Sequence, residues 1–317
     1  MPRQDGRRAI ITGGNIGIGF DAALELARHG AAVTIASRTQ SKADSAAAAL
    51  RKQVPGATVD VSLLDLASLA SVRSFAAREL ARPESLDLLI NNAGVYAPPK
   101  RLLTADGFEL QFGTNVLGHF ALTGLLLPKL ERRAEQVQAT GGLVQGETNL
   151  PRIVTIASIA HKPGRLHFDD LQFELAYRPN AAYQQSKLSN LMLALELGRR
   201  LSARGIPVRS VAAHPGVANT NLFKSESVSP FEQRMRNFGG HVIELVMNSS
   251  AHGALPTLFA ATAPDASNGG YYGPKGLFET RGAEVFPAKI STHAQNEPDA
   301  RRLWSTCETL TGVSYLD

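Results

Sequence analysis

A run that reads as a strand, a glycine-rich turn and a helix, RAIITGGNIGIGFDAALELARH (residues 8–29), leaves few folds open to this chain. RAIIT (8–12) is apolar and largely β-branched, the composition of a buried strand. From residue 17 to 29 the period changes to that of a helix, with Phe20, Ala23, Leu24 and Ala27 on one face. The alternation then repeats. AVTIAS (32–37), VDVSLL (59–64), LDLLINNAG (86–94), RIVTIAS (152–158) and PVRSVAAHPG (207–216) read as strands. Helical periods fall over residues 41–53, 69–81, 108–131 and 181–204. GGYYGP (269–274) can hold a last short strand, and Asn296 with Pro298 opens a helix that ends near Gly312.

Strands alternating with helices imply a parallel sheet covered on both faces, joined by right-handed crossovers. No linker divides the chain, so residues 1–317 are expected to form a single α/β domain, a doubly wound sheet of the Rossmann type. Two segments interrupt the pattern. Residues 134–151, AEQVQATGGLVQGETNLP, form a polar, Gly-rich insertion longer than an ordinary connection, and no role is assigned to it. Residues 218–250 scatter Phe223, Phe231, Met235 and Phe238 among polar residues. They are expected to form a C-terminal substrate lid, because such sheets bind ligands beyond the carboxyl ends of their strands.

The glycine turn points to a dinucleotide. Gly13, Gly17 and Gly19 follow a strand and open a helix, in a spacing that differs from G-x-G-x-x-G. Glycine lets the backbone approach a pyrophosphate, and the helix start offers free N–H groups. Gly13, Asn15, Ile16, Gly17, Ile18 and Gly19 are therefore the candidate contacts. The second strand ends at Ser37 and Arg38, with no carboxylate to accept from a ribose 2′-hydroxyl. A guanidinium suits a 2′-phosphate, so NADP(H) is expected in preference to NAD(H). The competing reading makes Arg38 a solvated loop residue.

Composition excludes several classes. Hydrophobic residues make up 44% and charged residues 19%, the balance of a chain with a large core. The net charge is +5, but the basic residues come in ones and twos rather than in a stripe, which argues against nucleic acid. Cys307 stands alone, so no internal disulfide forms, and a reducing, cytoplasmic location is expected. The first strand begins near Arg8 and leaves no room for a signal peptide. The most apolar run, residues 116–127, is short and broken by His119, so it reads as a buried helix rather than a membrane span. His119 and His161 have no acidic or cysteine cluster near them in sequence, and no metal site is expected.

Taken in order, TGGNIGIG (12–19), NNAG (91–94), Asn115 in TNVLGHF, Ser158 in TIASIAH, YQQSK (183–187) and HPG (214–216) resemble the short-chain dehydrogenases/reductases. The likeness runs from about residue 8 to at least 220. SIAHKPGRLHFDDLQFELAY and AYQQSKLSNLMLALELGRRL look like the retinol dehydrogenase and protochlorophyllide reductase branch. Ser158 and Tyr183 are 25 residues apart (158 to 183), a longer spacing than in many members, and it fits that branch.

The resemblance implies a catalytic set of Asn115, Ser158, Tyr183 and Lys187. A free tyrosine has a pKa of about 10, too high for a proton shuttle at neutral pH. Lys187 shares a helix face with Tyr183 and is expected to lower that value. Tyr183 would give its proton to a carbonyl oxygen as hydride arrives, and Ser158 would hydrogen-bond the same oxygen. By resemblance, Lys187 also binds the nicotinamide ribose and Asn115 holds a water that links Lys187 to solvent. Asp65 and Leu66 would lie beside the adenine, and Asn92, Ala93 and Gly94 along the middle of the cofactor. Pro215, Gly216 and Val217 would meet the nicotinamide, and Thr220 its carboxamide or phosphate. His214 is taken as structural.

The leading expectation is an NADP(H)-dependent carbonyl reductase, reversible as an alcohol dehydrogenase, for a bulky apolar substrate. The alternative is a non-catalytic NADP(H)-sensing protein, which loss of Tyr or Lys from the motif would mark. A methyltransferase fits less well, because the second strand ends without an acid. Many relatives form homodimers or homotetramers through the helices around residues 108–131 and 181–204; the resemblance leaves the oligomeric state open here, because the insertion at 134–151 follows the first of these helices, where it would block or remodel that contact.

Overall fold

The computed structural model describes residues 1–139, 150–217 and 249–317. Eight strands form one sheet: β1 (Arg8–Thr12), β2 (Ala32–Ser37), β3 (Val59–Leu63), β4 (Leu88–Asn91), β5 (Arg152–Ile156), β6 (Arg209–Ala213), β7 (Tyr271–Pro274) and β8 (Val285–Pro287). The spatial order is β3-β2-β1-β4-β5-β6-β7-β8. The first seven strands are parallel, and β8 pairs antiparallel with β7. The order reverses between β1 and β4, the place where an open α/β sheet leaves a crevice at its carboxyl edge.

Among the described residues, seven longer helices accompany the sheet: α1 (Gly17–Arg28), α2 (Gln40–Gln53), α3 (Leu69–Ala81), α4 (Leu110–Ala139), α5 (Pro179–Ala203), α6 (Ser250–Thr262) and α7 (Glu297–Thr311). One core layer joins side chains of α3, α4, α5 and α7 to one face of the sheet. A second joins α1, α2 and α6 to the other. Strands β1, β4, β5 and β6 are buried along their whole length. Their mostly apolar centres follow from cover on both faces. The doubly wound arrangement is the expected one.

Several details depart from expectation. The helix expected at residues 108–131 runs on to Ala139 and carries a π-helical stretch, Gly113–Leu117. Residues 134–139 therefore belong to α4 rather than to an insertion, and residues 140–149 lie outside the described residues. By length and composition α4 could cross a membrane, yet 89% of its most apolar window is buried inside this fold. It is a core helix, longer than the short apolar run suggested. The buried face of α1 uses Ala22 and Leu26 alongside Ala23, Leu24 and Ala27, while Phe20 is only half-buried. Helix α6 and strand β8 were not expected. Of the proposed lid, residues 218–248 lie outside the described residues, and Ser249 and Ser250 begin α6, where the Ser249 hydroxyl accepts from His252 N–H.

The C-terminus closes as expected: the Asn296 side chain caps α7, and Gly312 ends it in a left-handed conformation, φ 61°. Helix α7 packs on both α4 and α5. Beyond it, Tyr315 lies against Phe120 and Trp304, with ring centroids at 4.9 and 4.7 Å. The two helices to which the resemblance assigns oligomer contacts are thus partly covered by the chain's own end.

Candidate active site

The glycine turn leaves β1 at Thr12. Gly13 and Gly17 are left-handed, φ 66° and 56°, conformations that glycine adopts without strain. A Cβ on Gly19 would stand 2.5 Å from both Gly13 O and Asn92 Nδ2. Only a bare backbone lets α1 start this close to the NNAG segment. Ile16 precedes α1 in an extended conformation and gives no side-chain cap. Its first-turn N–H groups are therefore not satisfied by a capping side chain. Asn15, Ile16 and Gly17 line one side of a cleft of about 530 Å3, with Ser41, Lys42 and Ser45 of α2 on the other. Ile18 differs from its neighbours, because its side chain is buried in the core.

Thr12, which the sequence reading passed over, holds the turn to the NNAG segment. Its Oγ1 accepts from the N–H groups of Asn92 and Ala93, both at 2.9 Å, and lies 2.9 Å from His119 Nε2. His119 Nδ1 is 3.0 Å from Asn115 O, an acceptor, so Nδ1 carries the proton. Nε2 then accepts from the Thr12 hydroxyl. Burial holds His119 down at about 4, which keeps the ring neutral. The clue available in the sequence was position alone, as Thr12 is the last residue before the turn.

The resemblance set converges beyond β4 and β5. Ser158 follows β5 and is half-buried, and its hydroxyl accepts from Ala160 N–H at 3.1 Å. Tyr183 stands in the second turn of α5, close enough to Ser158 for the serine side chain to favour its phenolate. Lys187, one turn on, is buried and donates to Ile156 O at 2.9 Å. Its Nζ lies 5.9 Å from the centre of the Tyr183 ring. Tyr96 meets Tyr183 edge-on at 4.7 Å.

The electrostatics differ from expectation. Burial pushes the Tyr183 phenol up to about 12, the Ser158 side chain pulls it part of the way back, and Tyr96 adds to the rise. Burial also lowers Lys187 to about 8. The one-turn spacing does bring ammonium and ring together, but here the desolvation of both groups outweighs their attraction.

Asn115 sits in the π-helical stretch of α4. Its Nδ2 donates to Val95 O and Ser186 Oγ, each at 3.0 Å, and its Oδ1 accepts from Val95 N–H at 2.8 Å. The amide is committed to the backbone after NNAG, where a water-holding role had been expected. A Cβ on Gly94 would stand 3.2 Å from Asn115 Oδ1 and 3.8 Å from Lys187 Nζ, so Gly94 keeps that corner open.

The remaining candidates fall in different settings. Ser37 is buried at the end of β2, and Arg38 is exposed. Asp65 turns its carboxylate onto Ala67 N–H at 3.0 Å, and Leu66 is in the core. Asn92 donates from Nδ2 to Thr12 O at 2.8 Å. His214 is fully buried, and its Nδ1 accepts from Gly216 N–H at 3.2 Å. Pro215, Gly216 and Val217 follow β6 at the same edge of the sheet. Thr220 lies outside the described residues. Among the described residues no group of three His, Cys, Asp or Glu is placed to hold a metal ion.

A family model described as short chain dehydrogenase matches residues 7–229. The chain belongs to the short-chain dehydrogenase family. Within it, the chain is of the retinol dehydrogenase-like branch. It is 39% identical to Retinol dehydrogenase 13 of Homo sapiens over 313 residues, which covers 97% of this chain and 85% of that protein. It is 39% identical to Polyprenol dehydrogenase of Mus musculus over 317 residues, 100% of this chain and 87% of that one. A crystal structure of an uncharacterized protein from Mycobacterium Paratuberculosis superposes with a TM-score of 0.77 at 38% identity, covering 99% of this chain and 97% of the other. A Pseudomonas aeruginosa RhlG/NADP active-site complex is alike in fold alone, with a TM-score of 0.64 at 23% identity over 85% of this chain and 94% of that one. This short-chain dehydrogenase is accordingly an oxidoreductase of a family that uses nicotinamide cofactors.

Proposed function

We propose that this chain is an NADP(H)-dependent oxidoreductase that interconverts a carbonyl and an alcohol on a bulky apolar substrate, with Tyr183 as the acid/base. The observation that carries the reading is the half-buried Tyr183 phenol, close enough to Ser158 for the serine to favour its phenolate, with Lys187 one turn away. The cofactor, when bound, supplies or accepts the hydride at the carbonyl carbon. The glycine cradle fits it, because a Cβ on Gly17 would meet no protein atom within 4 Å and would instead project into open space beside the cleft that Gly17 lines.

The chain's own residues do the rest. Tyr183 holds its proton at neutral pH, the form that reduction requires, although burial, which raises its pKa to about 12, makes it a weaker acid than a free phenol. Ser158 hydrogen-bonds the same oxygen and stabilises the charge that develops there. Lys187, whose Nζ donates to Ile156 O, would offer its remaining N–H groups to the nicotinamide ribose. Asn115 fixes the backbone at Val95 and with it the turn that follows NNAG. A preference for NADP(H) is supported by the exposed Arg38 and by Lys42 in the cleft beside the glycine turn, where no carboxylate lines the wall. A bulky apolar substrate is supported by the names of the retinol and polyprenol dehydrogenases and by the Tyr96 ring against Tyr183.

The test is Tyr183→Phe. The variant should bind NADPH like the wild type in a fluorescence titration and reduce bulky apolar aldehydes and ketones at least about a hundredfold more slowly, the usual scale for a general acid. Turnover near the wild-type rate would overturn the assignment.

A further inference from the structure

The connection between β7 and β8 reaches into the site from a part of the chain with no recognisable motif. Its backbone is left-handed at two successive residues, Phe278 and Glu279, with φ 54° and 59°. Residues with side chains adopt that conformation at a cost, and the surroundings must hold them there. The Glu279 carboxylate provides the hold. Its Oε2 accepts from Lys162 Nζ at 2.8 Å, and its Oε1 accepts from Lys289 N–H at 2.9 Å. Oε2 also lies 3.6 Å from His214 Nε2.

Two of these contacts, those to Lys162 and His214, lead to different parts of the candidate site. Lys162 is four residues beyond Ser158. Between them, His161 Nδ1 donates to Ser158 O at 2.7 Å while its Nε2 accepts from Ser291 N–H at 3.3 Å. On the other side, His214 Nδ1 accepts from Gly216 N–H, so a neutral His214 ring carries its proton on Nε2. That nitrogen has no hydrogen-bond partner among the described residues, and at 3.6 Å the carboxylate attracts it without a full hydrogen bond. The Tyr271 ring fills the space between, 5.4 Å from the His161 ring and 5.3 Å from that of His214. The backbone adds a further tie: Val217 N–H donates to Thr280 O at 2.8 Å, and a Cβ on Gly216 would stand 2.3 Å from that oxygen.

We propose that Glu279 is a positioning residue whose single carboxylate ties the loop carrying Ser158 to the loop carrying Pro215 and Gly216. It thereby sets the distance between the proton-donating and the nicotinamide sides of the site. The inference rests on the reading above that these two loops flank the reacting atoms. An ordinary surface ion pair would have little effect. Glu279 differs, because its side chain is only 16% exposed and it bridges three separate segments. Burial opposes its ionisation, but the hydrogen bonds from Lys162 and Lys289 N–H prevail and hold the carboxyl below its ordinary range.

The experiment compares Glu279→Gln, Lys162→Met and the double variant by amide hydrogen exchange without ligand. Both single variants should speed exchange in residues 158–164 and 214–217 together by about tenfold, the scale of one charge-assisted hydrogen bond in a local opening. The double variant should add little, and β1 and β4 should be unchanged. Where a carbonyl substrate turns over, kcat should fall by about tenfold while the KM for NADPH stays within about twofold, because the phosphate-binding turn is untouched. Faster exchange in one loop only, in neither, or throughout the sheet would overturn the proposal, as would an unchanged kcat. Absence of any wild-type turnover would instead count against the proposed function, and the exchange result would still decide this one.

Discussion

Asn115 holds Val95 by both of its backbone groups, accepting from the N–H at 2.8 Å and donating to the carbonyl at 3.0 Å. A side-chain amide here does what a neighbouring strand would do, just past the point where β4 loses its pairing. The π-helical stretch Gly113–Leu117 contains Asn115, and such a stretch shifts side chains relative to an ordinary helix. The third bond, to Ser186 Oγ at 3.0 Å, ties the same amide to α5 between Tyr183 and Lys187.

Asn115→Ala should therefore destabilise the protein as well as slow it. It strands the two part-buried backbone groups of Val95, while the Ser186 hydroxyl keeps its bond to Tyr183 O, and about 2 kcal/mol is a fair scale for that loss. Urea unfolding measures it. A variant as stable as the wild type would restore the expected water-holding role and remove the scaffolding one.

The legible parts of this chain were those whose signal is local. Strand β1, its glycine turn and α1 follow from period and backbone freedom within about twenty residues, and α3 falls on residues 69–81 as its spacing predicts. The Tyr183–Lys187 spacing is likewise a property of one helix. Helix α6 escaped because Pro256 and Gly253 stand inside it, residues that argue against a helix when neighbours are ignored. Strand β8 has three residues and pairs only with β7. The rise of Tyr183 to about 12 was invisible for another reason: burial is decided by what packs over a residue, here including Tyr96. Glu279 lies 117 residues from Lys162 and has no motif of its own.

The chain's end should be locked by a glycine. A Cβ on Gly124 would stand 2.3 Å from Tyr315 Cδ1 and 2.9 Å from Val313 Cγ1. Gly124→Leu should lift the tail from α4 and cost about 1–3 kcal/mol, the range for overfilling a packed contact. Carboxypeptidase trimming of the tail should become faster in the variant. Equal trimming would show that Tyr315 is not held there.

Cofactor choice should follow charge at the cleft. On the proposed role of Arg38 at the 2′-phosphate, Arg38→Asp should shift preference from NADPH toward NADH by about tenfold or more, since a guanidinium suited to a bidentate phosphate contact is replaced by a like charge. Lys42→Glu should act in the same direction, because Lys42 lines the cleft opposite Asn15. Titration with both cofactors measures the ratio. If neither variant moves it, the preference is set elsewhere or does not exist.

Acid should weaken the fold through two buried rings. Burial holds His119 and His214 at about 4, below their ordinary value of 6.5, with Glu279 partly opposing the shift of His214. The folded protein keeps both rings neutral to about pH 4, whereas the unfolded chain protonates them near 6.5. Between these values the unfolded state binds the extra protons, so stability is complete above about pH 6.5 and falls as the pH drops toward 4. At pH 5 the loss is about 2 kcal/mol for each ring. Urea unfolding at pH 7 and pH 5 should show it, and His119→Gln should reduce the pH slope by about one proton. A slope that stays the same in His119→Gln would mean that the ring is not held neutral, and the assigned bond from the Thr12 hydroxyl to Nε2 would fall with it.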